Sequence, residues 1–365
     1  ITSDWPIVAA GVYTQNQVVA APVVLCRQRT PSVSIRAVVT NSGNANACTG
    51  EQGDRDATEM CSRVADHLGC EPADVLVMST GVIGKPLPMD RVRVGIDDAF
   101  ASRSGGRSGF DAAAQAILTT DQGRKVAFRS LQCDREIRIA AMAKGAGMIA
   151  PNMATMLSVV CTDACLAAKD AQRIIEQAAS ISFNRASVDG HTSTNDTLLL
   201  LASGQGEPLT GDDLARVAEA INEVSIQLAK ELVADGEGAR HVMTIHVSGA
   251  DDDADAETIA RTVAASPLVK TAITGGDPNW GRIVSAAGYA SAKIDPARTS
   301  LEICGKRIYE NGTPLPFDAA ALSASMKSEK NVEIQLCVGV GPGKTTFWAS
   351  DLTQEYVRFN SEYTT

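Results

Sequence analysis

The chain has 365 residues, of which 44% are hydrophobic and 21% are charged, and its formal net charge is −10. This is the composition of a globular protein with a full hydrophobic core and about two domains. The acidic balance disfavours nucleic acid and anionic membranes as main partners, because both are bound by clustered Lys and Arg. The longest aliphatic stretch, about 198–202, is far shorter than the roughly 18 residues that a membrane span requires.

Nine cysteines are scattered along the chain without a Cys-x-x-Cys pair, and no signal peptide is recognisable. An odd, scattered set of cysteines is typical of reduced, intracellular proteins, so we expect a cytoplasmic location. The chain begins at Ile1 rather than Met. We therefore expect a trimmed or processed N-terminus, and a lost organelle leader stays open.

In the first half of the chain, helical and strand-like patterns alternate. Apolar residues at helical spacing predict three helices: 57–68, 92–100 and 111–118. A loop rich in glycine and serine is expected at 104–109, before the third helix. Period-two alternation over 125–131 and 136–143 predicts two strands that are joined by a turn.

The second half continues the alternation. Five strands are predicted here. The first is the buried apolar segment 156–162, and the others are 197–202, 241–248, 332–338 and 345–349. The helices expected between them are 167–179, the long amphipathic helix 214–232 with Thr210 as its N-cap, and 257–265, which Pro267 ends. The whole pattern indicates a mixed α/β fold with long helices over extended sheets.

Two glycine-rich segments resemble nucleotide-binding motifs but lack the required context. Gly145, Gly147 and Ala150 fit a dinucleotide fingerprint, yet a strand rather than a helix is predicted next. The segment 338–345 resembles a P-loop, but Val338 stands where the motif requires glycine. We interpret this second segment as a glycine-rich hairpin turn.

The four histidines do not show metal-ligand spacing, and we expect no metal site. His191 lies in the polar cluster 189–196 and could act as a base, although no nucleophile context accompanies it. A hydrogen-bonded loop histidine is the favoured interpretation, and its role stays open.

Thr155 follows the glycine-rich turn and directly precedes a predicted strand. A threonine that becomes an N-terminus can act as a nucleophile, because its own α-amine serves as the general base. This requires cleavage of the Ala154–Thr155 bond, by attack of Thr155 Oγ on the preceding carbonyl and hydrolysis of the resulting ester. Spacing alone leaves an ordinary threonine at the start of a strand as the alternative.

Both cleavage and later turnover need hydrogen-bond donors for a developing oxyanion. The segment 79–84, Ser-Thr-Gly-Val-Ile-Gly, follows a short apolar run and supplies a threonine hydroxyl beside a flexible glycine N–H. It is our candidate for the oxyanion hole.

A series of motifs along nearly the whole chain resembles the ornithine acetyltransferase family, also called glutamate N-acetyltransferases, of the cyclic arginine pathway. The most specific match is KGAGMIAPNMATML at 144–157. The other matching segments are TNSGNANA at 40–47, STGVIG at 79–84, TTD at 119–121, TSTNDT at 192–197, DGEGA at 235–239, SPLVKT at 266–271, DPNWGR at 277–282 and YVRFNSEYTT at 356–365. By this resemblance the chain ends at its natural C-terminus and lacks a strand or so at its beginning.

The resemblance implies a layered helix–sheet sandwich of the ornithine acetyltransferase or self-processing aminopeptidase type, with a smaller C-terminal α/β subdomain. It also implies autoproteolysis between Ala154 and Thr155. The products would be an α chain, 1–154, and a β chain, 155–365, which stay associated in an α2β2 assembly. The C-terminal part of the β chain would form the second subdomain.

The activity implied is a ping-pong transfer of acetyl from N2-acetylornithine to glutamate through an acetyl-Thr155 ester, without a cofactor. Thr80 and Gly81 match the family's oxyanion-hole positions. The substrate-binding positions carried over are Thr119, Lys144, Thr155, Glu237, Asn360 and Thr365. Thr120 is the alternative to its neighbour Thr119, and whether acetyl-CoA is a further donor stays open.

The residue types are compatible with these roles. Lys144 is a cation that suits a substrate α-carboxylate, with a solvated loop lysine as the alternative. Glu237 could meet the ornithine ammonium, but it could not attract the side-chain carboxylate of glutamate in the same way. Two other functions compete with the acetyltransferase: an amidase or aminopeptidase on the same scaffold, and a nucleotide-binding protein with an intact chain.

Overall fold

The computed structural model describes residues 1–150 and 156–362, and these form two compact units. The first unit comprises 1–184 and 191–232, and the second comprises 185–190 and the described residues from 233 onwards. These two units are defined by which residues pack together. The predicted segments 1–154 and 155–365 are instead defined by where the main chain would be cleaved. The packing therefore does not test that prediction.

Strands and helices alternate along both units. The strands are β1 (Thr2–Tyr13), β2 (Ser32–Asn44), β3 (Val75–Val82), β4 (Lys125–Gln132), β5 (Glu136–Lys144), β6 (Leu157–Thr162), β7 (Ala186–Ser187), β8 (Thr197–Ala202), β9 (Val242–Ala250), β10 (Ser300–Ile303), β11 (Lys306–Glu310), β12 (Thr313–Pro314), β13 (Asn331–Cys337) and β14 (Gly343–Ser350). The helices are α1 (Ala21–Arg29), α2 (Gly50–Leu68), α3 (Met89–Ala101), α4 (Gly106–Ala116), α5 (Ala168–Ile181), α6 (Gly211–Ala234), α7 (Asp253–Ala265), α8 (Pro267–Gly275), α9 (Trp280–Gly288), α10 (Ala319–Ser328) and α11 (Gln354–Glu362). No helix in the described ranges is both long enough and apolar enough to cross a bilayer.

The first unit contains a seven-stranded mixed sheet in the order β3-β2-β1-β8-β6-β5-β4. The pairs β2–β3 and β6–β8 are parallel, and the other neighbours are antiparallel. Strand β8, with the sequence TLLLLA, is buried at all six positions. Such a continuous apolar run is typical of a central strand that is covered on both faces.

Two strands that are distant in the order of this sheet are joined by a side-chain contact. Five strand spacings separate β3 from β5 in the sheet order, which corresponds to about 24 Å along a flat sheet. Nevertheless, Nζ of Lys144 at the end of β5 lies 3.2 Å from Oγ1 of Thr80 near the end of β3. The contact therefore joins residues near the ends of two strands that are distant in the sheet order.

The second unit contains its own seven-stranded sheet in the order β12-β11-β10-β13-β9-β14-β7. Helix α7 packs on β9 and β14, and the apolar core lies between this sheet and its helices. Side chains at the helix N-termini accept hydrogen bonds from main-chain N–H groups: Asp252 caps α7, Ser266 caps α8, Asn279 caps α9 and Asp318 caps α10. These polar residues fix where each helix begins.

The mixed α/β fold class is confirmed, while two local predictions need correction and a third is confirmed with an addition. Residues 106–109 of the expected loop belong to α4, which begins at Gly106. Pro267 ends α7 as expected but also opens α8, where its missing N–H costs nothing. The segment 338–342 is not a hairpin turn, because β9 lies between β13 and β14. It crosses over the end of β9 instead, with the N–H groups of Val340 and Gly341 donating to Gly249.

Candidate active site

Thr80 and Gly81 lie together near the end of β3, in the segment that the sequence proposes as the oxyanion hole. Gly81 has φ of +132°, a conformation that L side chains rarely adopt. A Cβ on Gly81 would lie 2.2 Å from the carbonyl carbon of Gly43 in the neighbouring strand β2. Only glycine allows this close approach, so Gly81 fixes the position of Thr80 relative to β2.

Lys144 connects the end of β5 to this segment. Its Nζ donates to Thr119 Oγ1 at 2.7 Å and to Thr80 Oγ1 at 3.2 Å. The residue is 2% exposed, so the alternative of a solvated loop lysine is wrong. Of the two adjacent threonines considered for the site, Thr119 is the one whose hydroxyl contacts Lys144, and its role as a substrate contact stays a prediction.

Asp121 organises the residues around Lys144. Its carboxylate accepts from Lys125 Nζ at 2.6 Å, from the Gly145 N–H at 2.6 Å and from the Thr119 N–H at 3.2 Å. It also lies 3.9 Å from Lys144 Nζ. Burial on its own would raise the pKa of this carboxyl, but the two ammonium groups outweigh burial, and the pKa lies below its ordinary value.

Asn195 and Asp196 link the same strand ends to the start of β6. Asn195 Nδ2 donates to the carbonyl groups of Ala45 and Ser79, at 2.6 Å and 2.9 Å. Its neighbour Asp196 accepts the Met156 N–H at 3.1 Å. The dipeptide Asn195–Asp196 therefore connects Ser79 to Met156.

Asp196 is fully buried, and its Oδ2 atom has no hydrogen-bond partner within residues 1–150 and 156–362. Burial raises the pKa of this carboxyl well above its ordinary value, although the Met156 N–H and the Lys144 charge act in the opposite direction. The carboxyl is therefore held towards its neutral form beside the start of β6.

The second unit holds the predicted pair Glu237 and Asn360. Asn360, in α11, donates from Nδ2 to Glu237 Oε2 at 3.1 Å, and the contact is exposed to solvent. The pairing shows that the two residues are neighbours, and their role in substrate binding stays a prediction.

Three predicted site residues, Ala154, Thr155 and Thr365, lie outside the described residues. Among the residues that are described, no group of His, Cys, Asp and Glu could hold a metal ion. Residues 145–150 are not helical, and the next described element is strand β6. The dinucleotide fingerprint therefore lacks the helix that it requires.

Residue-by-residue reasoning missed Asp121, Lys125, Asn195 and Asp196. Asp121 and the Asn195–Asp196 pair do lie in the TTD and TSTNDT segments noted above. Membership of these segments was the only signal in the sequence. An acidic or amide residue in a polar segment cannot otherwise be distinguished from one in a solvated loop.

The ArgJ family model matches residues 1–365. The chain belongs to the ArgJ family. It is thus an acyltransferase of arginine biosynthesis, a glutamate N-acetyltransferase, which confirms both the family resemblance and the predicted enzyme class. This membership also makes the nucleotide-binding interpretation unnecessary.

Individual members of the ArgJ family cover the whole chain. The arginine biosynthesis bifunctional protein ArgJ of Rhodopirellula baltica is 59% identical over 100% of this chain and 90% of its own length. The protein of the same name from Symbiobacterium thermophilum is 48% identical over 100% of this chain and 91% of its own length. The crystal structure of ArgJ from Bacillus halodurans matches with a TM-score of 0.55 and 35% identity, over 56% of this chain and 98% of that one.

Proposed function

We propose that the chain cleaves itself between Ala154 and Thr155 and then uses Thr155 to move acetyl from N2-acetylornithine to glutamate. In the first half-reaction Thr155 Oγ takes the acetyl group and ornithine leaves. In the second, the amine of glutamate takes the acetyl group from the threonine ester, with the free α-amine of Thr155 acting as general base. The reaction is ping-pong and uses no cofactor.

The observation that supports this proposal best is the convergence of strand ends in the first unit. Lys144 is the register partner of Leu157 and also contacts Thr80. Asp196 accepts the Met156 N–H, and its neighbour Asn195 donates to the carbonyl group of Ser79. The described residues on both sides of the predicted cleavage site thus belong to one polar cluster.

In this proposal Thr80 and Gly81 donate hydrogen bonds to the negative oxygen that develops in cleavage and in each transfer step. Lys144 and Thr119 bind the α-carboxylate that both amino-acid substrates carry. Glu237 binds the side-chain ammonium of ornithine. The remaining proposed substrate contacts are Thr155, Asn360 and Thr365.

After cleavage, the α chain 1–154 and the β chain 155–365 stay associated, and two copies of each form an α2β2 enzyme in the cytoplasm. The relatives are named bifunctional proteins. We propose acetyl-CoA as the second donor, which acetylates the same Thr155. Acetate release from either donor in the absence of glutamate would instead indicate the amidase alternative.

The intact mass of the denatured protein tests the self-cleavage. Fragments of 154 and 211 residues, about 16 and 22 kDa, are expected from the wild type, with Thr155 leading the larger one. The Thr155→Ala chain should stay whole. A wild type that transfers acetyl while remaining one chain would overturn the N-terminal threonine mechanism.

Isotope exchange tests the acetyl-enzyme. Labelled ornithine should enter N2-acetylornithine without glutamate, because a ping-pong enzyme completes and reverses its first half-reaction alone. An enzyme that transfers acetyl but shows no exchange would exclude the ester intermediate.

A further inference from the structure

The ammonium group of Lys144 determines the direction of the hydrogen bonds at Thr80. An ammonium has three N–H donors and no acceptor, so its contacts to Thr80 Oγ1 and Thr119 Oγ1 both run from the lysine. Each hydroxyl oxygen accepts from Nζ, and its own O–H bond must point away from that atom. The hydroxyl of Thr80 therefore keeps its proton for a third group.

We propose that Lys144 is a positioning residue for acetyl transfer, which holds the hydroxyl of Thr80 as a hydrogen-bond donor towards the developing oxyanion. This inference rests on the proposed function and adds to it, because it gives Lys144 a role besides substrate binding. A hydroxyl that can rotate must be reoriented when the oxyanion forms. A donor that already points away from Lys144 needs no such reorganisation.

The packing around Lys144 makes it suitable for this task. A lysine side chain is flexible in solvent, but this one is buried at the end of β5 and lies 3.9 Å from the Asp121 carboxylate. Asp121 also accepts the N–H groups of Thr119 and Gly145. It therefore fixes the main chain at the threonine that Lys144 contacts and at the residue that follows Lys144. The ammonium is held in one place relative to both threonine hydroxyls.

Steady-state kinetics separates positioning from substrate binding. A residue that only binds the substrate carboxylate changes KM and leaves kcat, whereas a residue that orients an oxyanion donor changes kcat. Lys144→Met keeps the length of the side chain and removes all its donors. With N2-acetylornithine and glutamate as substrates, we expect kcat to fall about 100-fold from the loss of positioning, and each KM to rise about tenfold from the loss of carboxylate binding. A raised KM with unchanged kcat would overturn the proposal.

Lys144→Gln gives a second variant in case the methionine chain does not fold. Glutamine keeps N–H donors for the hydroxyls but carries no charge. It should lose only about tenfold in kcat if donation to Thr80 matters. A glutamine variant whose kcat falls about 100-fold would overturn the proposal, because its retained donors would then make no difference.

Lys270→Met in α8 is the control. Lys270 is also buried, but its Nζ donates to the main-chain carbonyl groups of Val188 and Ser350 rather than to a hydroxyl of the proposed site. We expect kcat to stay within about threefold of the wild type, because this lysine does not orient an oxyanion donor. An equal loss in both methionine variants would mean that burying methionine, rather than losing the contact to Thr80, lowers kcat.

A double-mutant cycle with Thr80→Val completes the test. If Lys144 acts through Thr80, then Lys144→Met should lower kcat by less than about threefold in the valine background. Losses that multiply would overturn the proposal. A wild type that neither cleaves itself nor transfers acetyl would instead contradict the proposed function, so the two failures are distinguishable.

Discussion

Each of the two units buries a lysine, and the two lysines have partners of different kinds. In the first unit, Lys144 donates to two threonine side chains and lies beside Asp121. In the second unit, Lys270 of α8 donates to the main-chain carbonyl groups of Val188 and Ser350. Both lysines are almost inaccessible to solvent.

The kind of partner distinguishes their roles. A main-chain carbonyl can only accept, and its position is fixed by the strand that carries it. Lys270 therefore joins two segments of chain, β14 and the residues after β7, and we assign it to stability. A threonine hydroxyl accepts and donates at once, so the hydroxyls around Lys144 can pass a hydrogen bond on to a ligand.

The largest expected effect on catalysis compares one threonine from each region. Thr80→Val removes the proposed oxyanion donor, and we expect kcat to fall about 100-fold, equivalent to about 2.7 kcal/mol. Thr274→Val in α8 removes a hydroxyl that donates to the Leu352 carbonyl at 2.8 Å. This control should lower the free energy of unfolding by about 1 kcal/mol and leave kcat within about twofold. Equal losses of kcat would break the distinction between the two regions.

Lys270→Met is expected to act on stability alone. It leaves the carbonyl groups of Val188 and Ser350 without their donor, at a cost of about 2 kcal/mol in the free energy of unfolding. Urea denaturation of the uncleaved Thr155→Ala chain measures this cost. A loss of acetyl transfer in the otherwise wild-type Lys270→Met enzyme, with unchanged stability, would contradict the assignment.

The loss in the free energy of unfolding caused by Lys270→Met should also depend on pH. Burial lowers the pKa of Lys270 from 10.5 to about 8, although Asp351 and Asp189 act in the opposite direction. Between these values the unfolded chain binds the proton and the folded chain does not, so folding stability rises with pH. The stability difference between the wild-type residue and methionine should grow by up to about 3 kcal/mol over this window and stay constant below pH 8.

Much of the fold could be predicted because its signals are local. The hairpin of β4 and β5 has period-two alternation on both sides of a polar turn, and β8 is a continuous apolar run. Helix α4 begins earlier than predicted, at Gly106, because glycine and serine have low helix propensity and the packing of Phe110 against the core outweighs them. Strand β1 gave no periodic signal, since Pro6 interrupts it.

The family resemblance supplied Thr80, Thr119 and Lys144 as candidate site residues, but the tertiary contacts between them could not be predicted. Lys144 and Thr80 stand 64 positions apart, and nothing in either local sequence indicates that they meet. Asp121 acquires its role only because the main chain at 119 and at 145 converges on it. These contacts join segments that are distant in the sequence, and periodicity in the sequence does not report which distant segments meet.

Glu237→Gln sharpens the comparison for an exposed polar pair. The contact between Glu237 and Asn360 lies in solvent, so its loss should change the free energy of unfolding by less than about 0.5 kcal/mol. If Glu237 binds the ornithine ammonium, KM for N2-acetylornithine should rise about tenfold, or about 1.4 kcal/mol. KM for glutamate should not rise, because glutamate has no side-chain ammonium. A parallel rise in both KM values would exclude this specific role.

The smallest effect is expected from Asp196→Asn, again in the uncleaved Thr155→Ala chain. Asparagine keeps the oxygen that accepts the Met156 N–H but cannot ionise. Burial raises the pKa of Asp196 well above 3.8, so above that pH the unfolded chain releases a proton that the folded chain retains. Folding stability supplied by the neutral carboxyl is therefore lost as pH rises above about 4, whereas the asparagine variant loses none.

Urea denaturation at pH 5 and at pH 8 measures this difference. The asparagine variant should gain stability relative to aspartate between the two values. Glu59, a partly exposed carboxyl whose pKa is lowered by hydrogen bonds from Arg93, serves as the control, since Glu59→Gln should show no gain over this range. A difference between asparagine and aspartate at 196 that is independent of pH would mean that the buried carboxyl is ionised at both values. The start of β6 would then lie beside a negative charge.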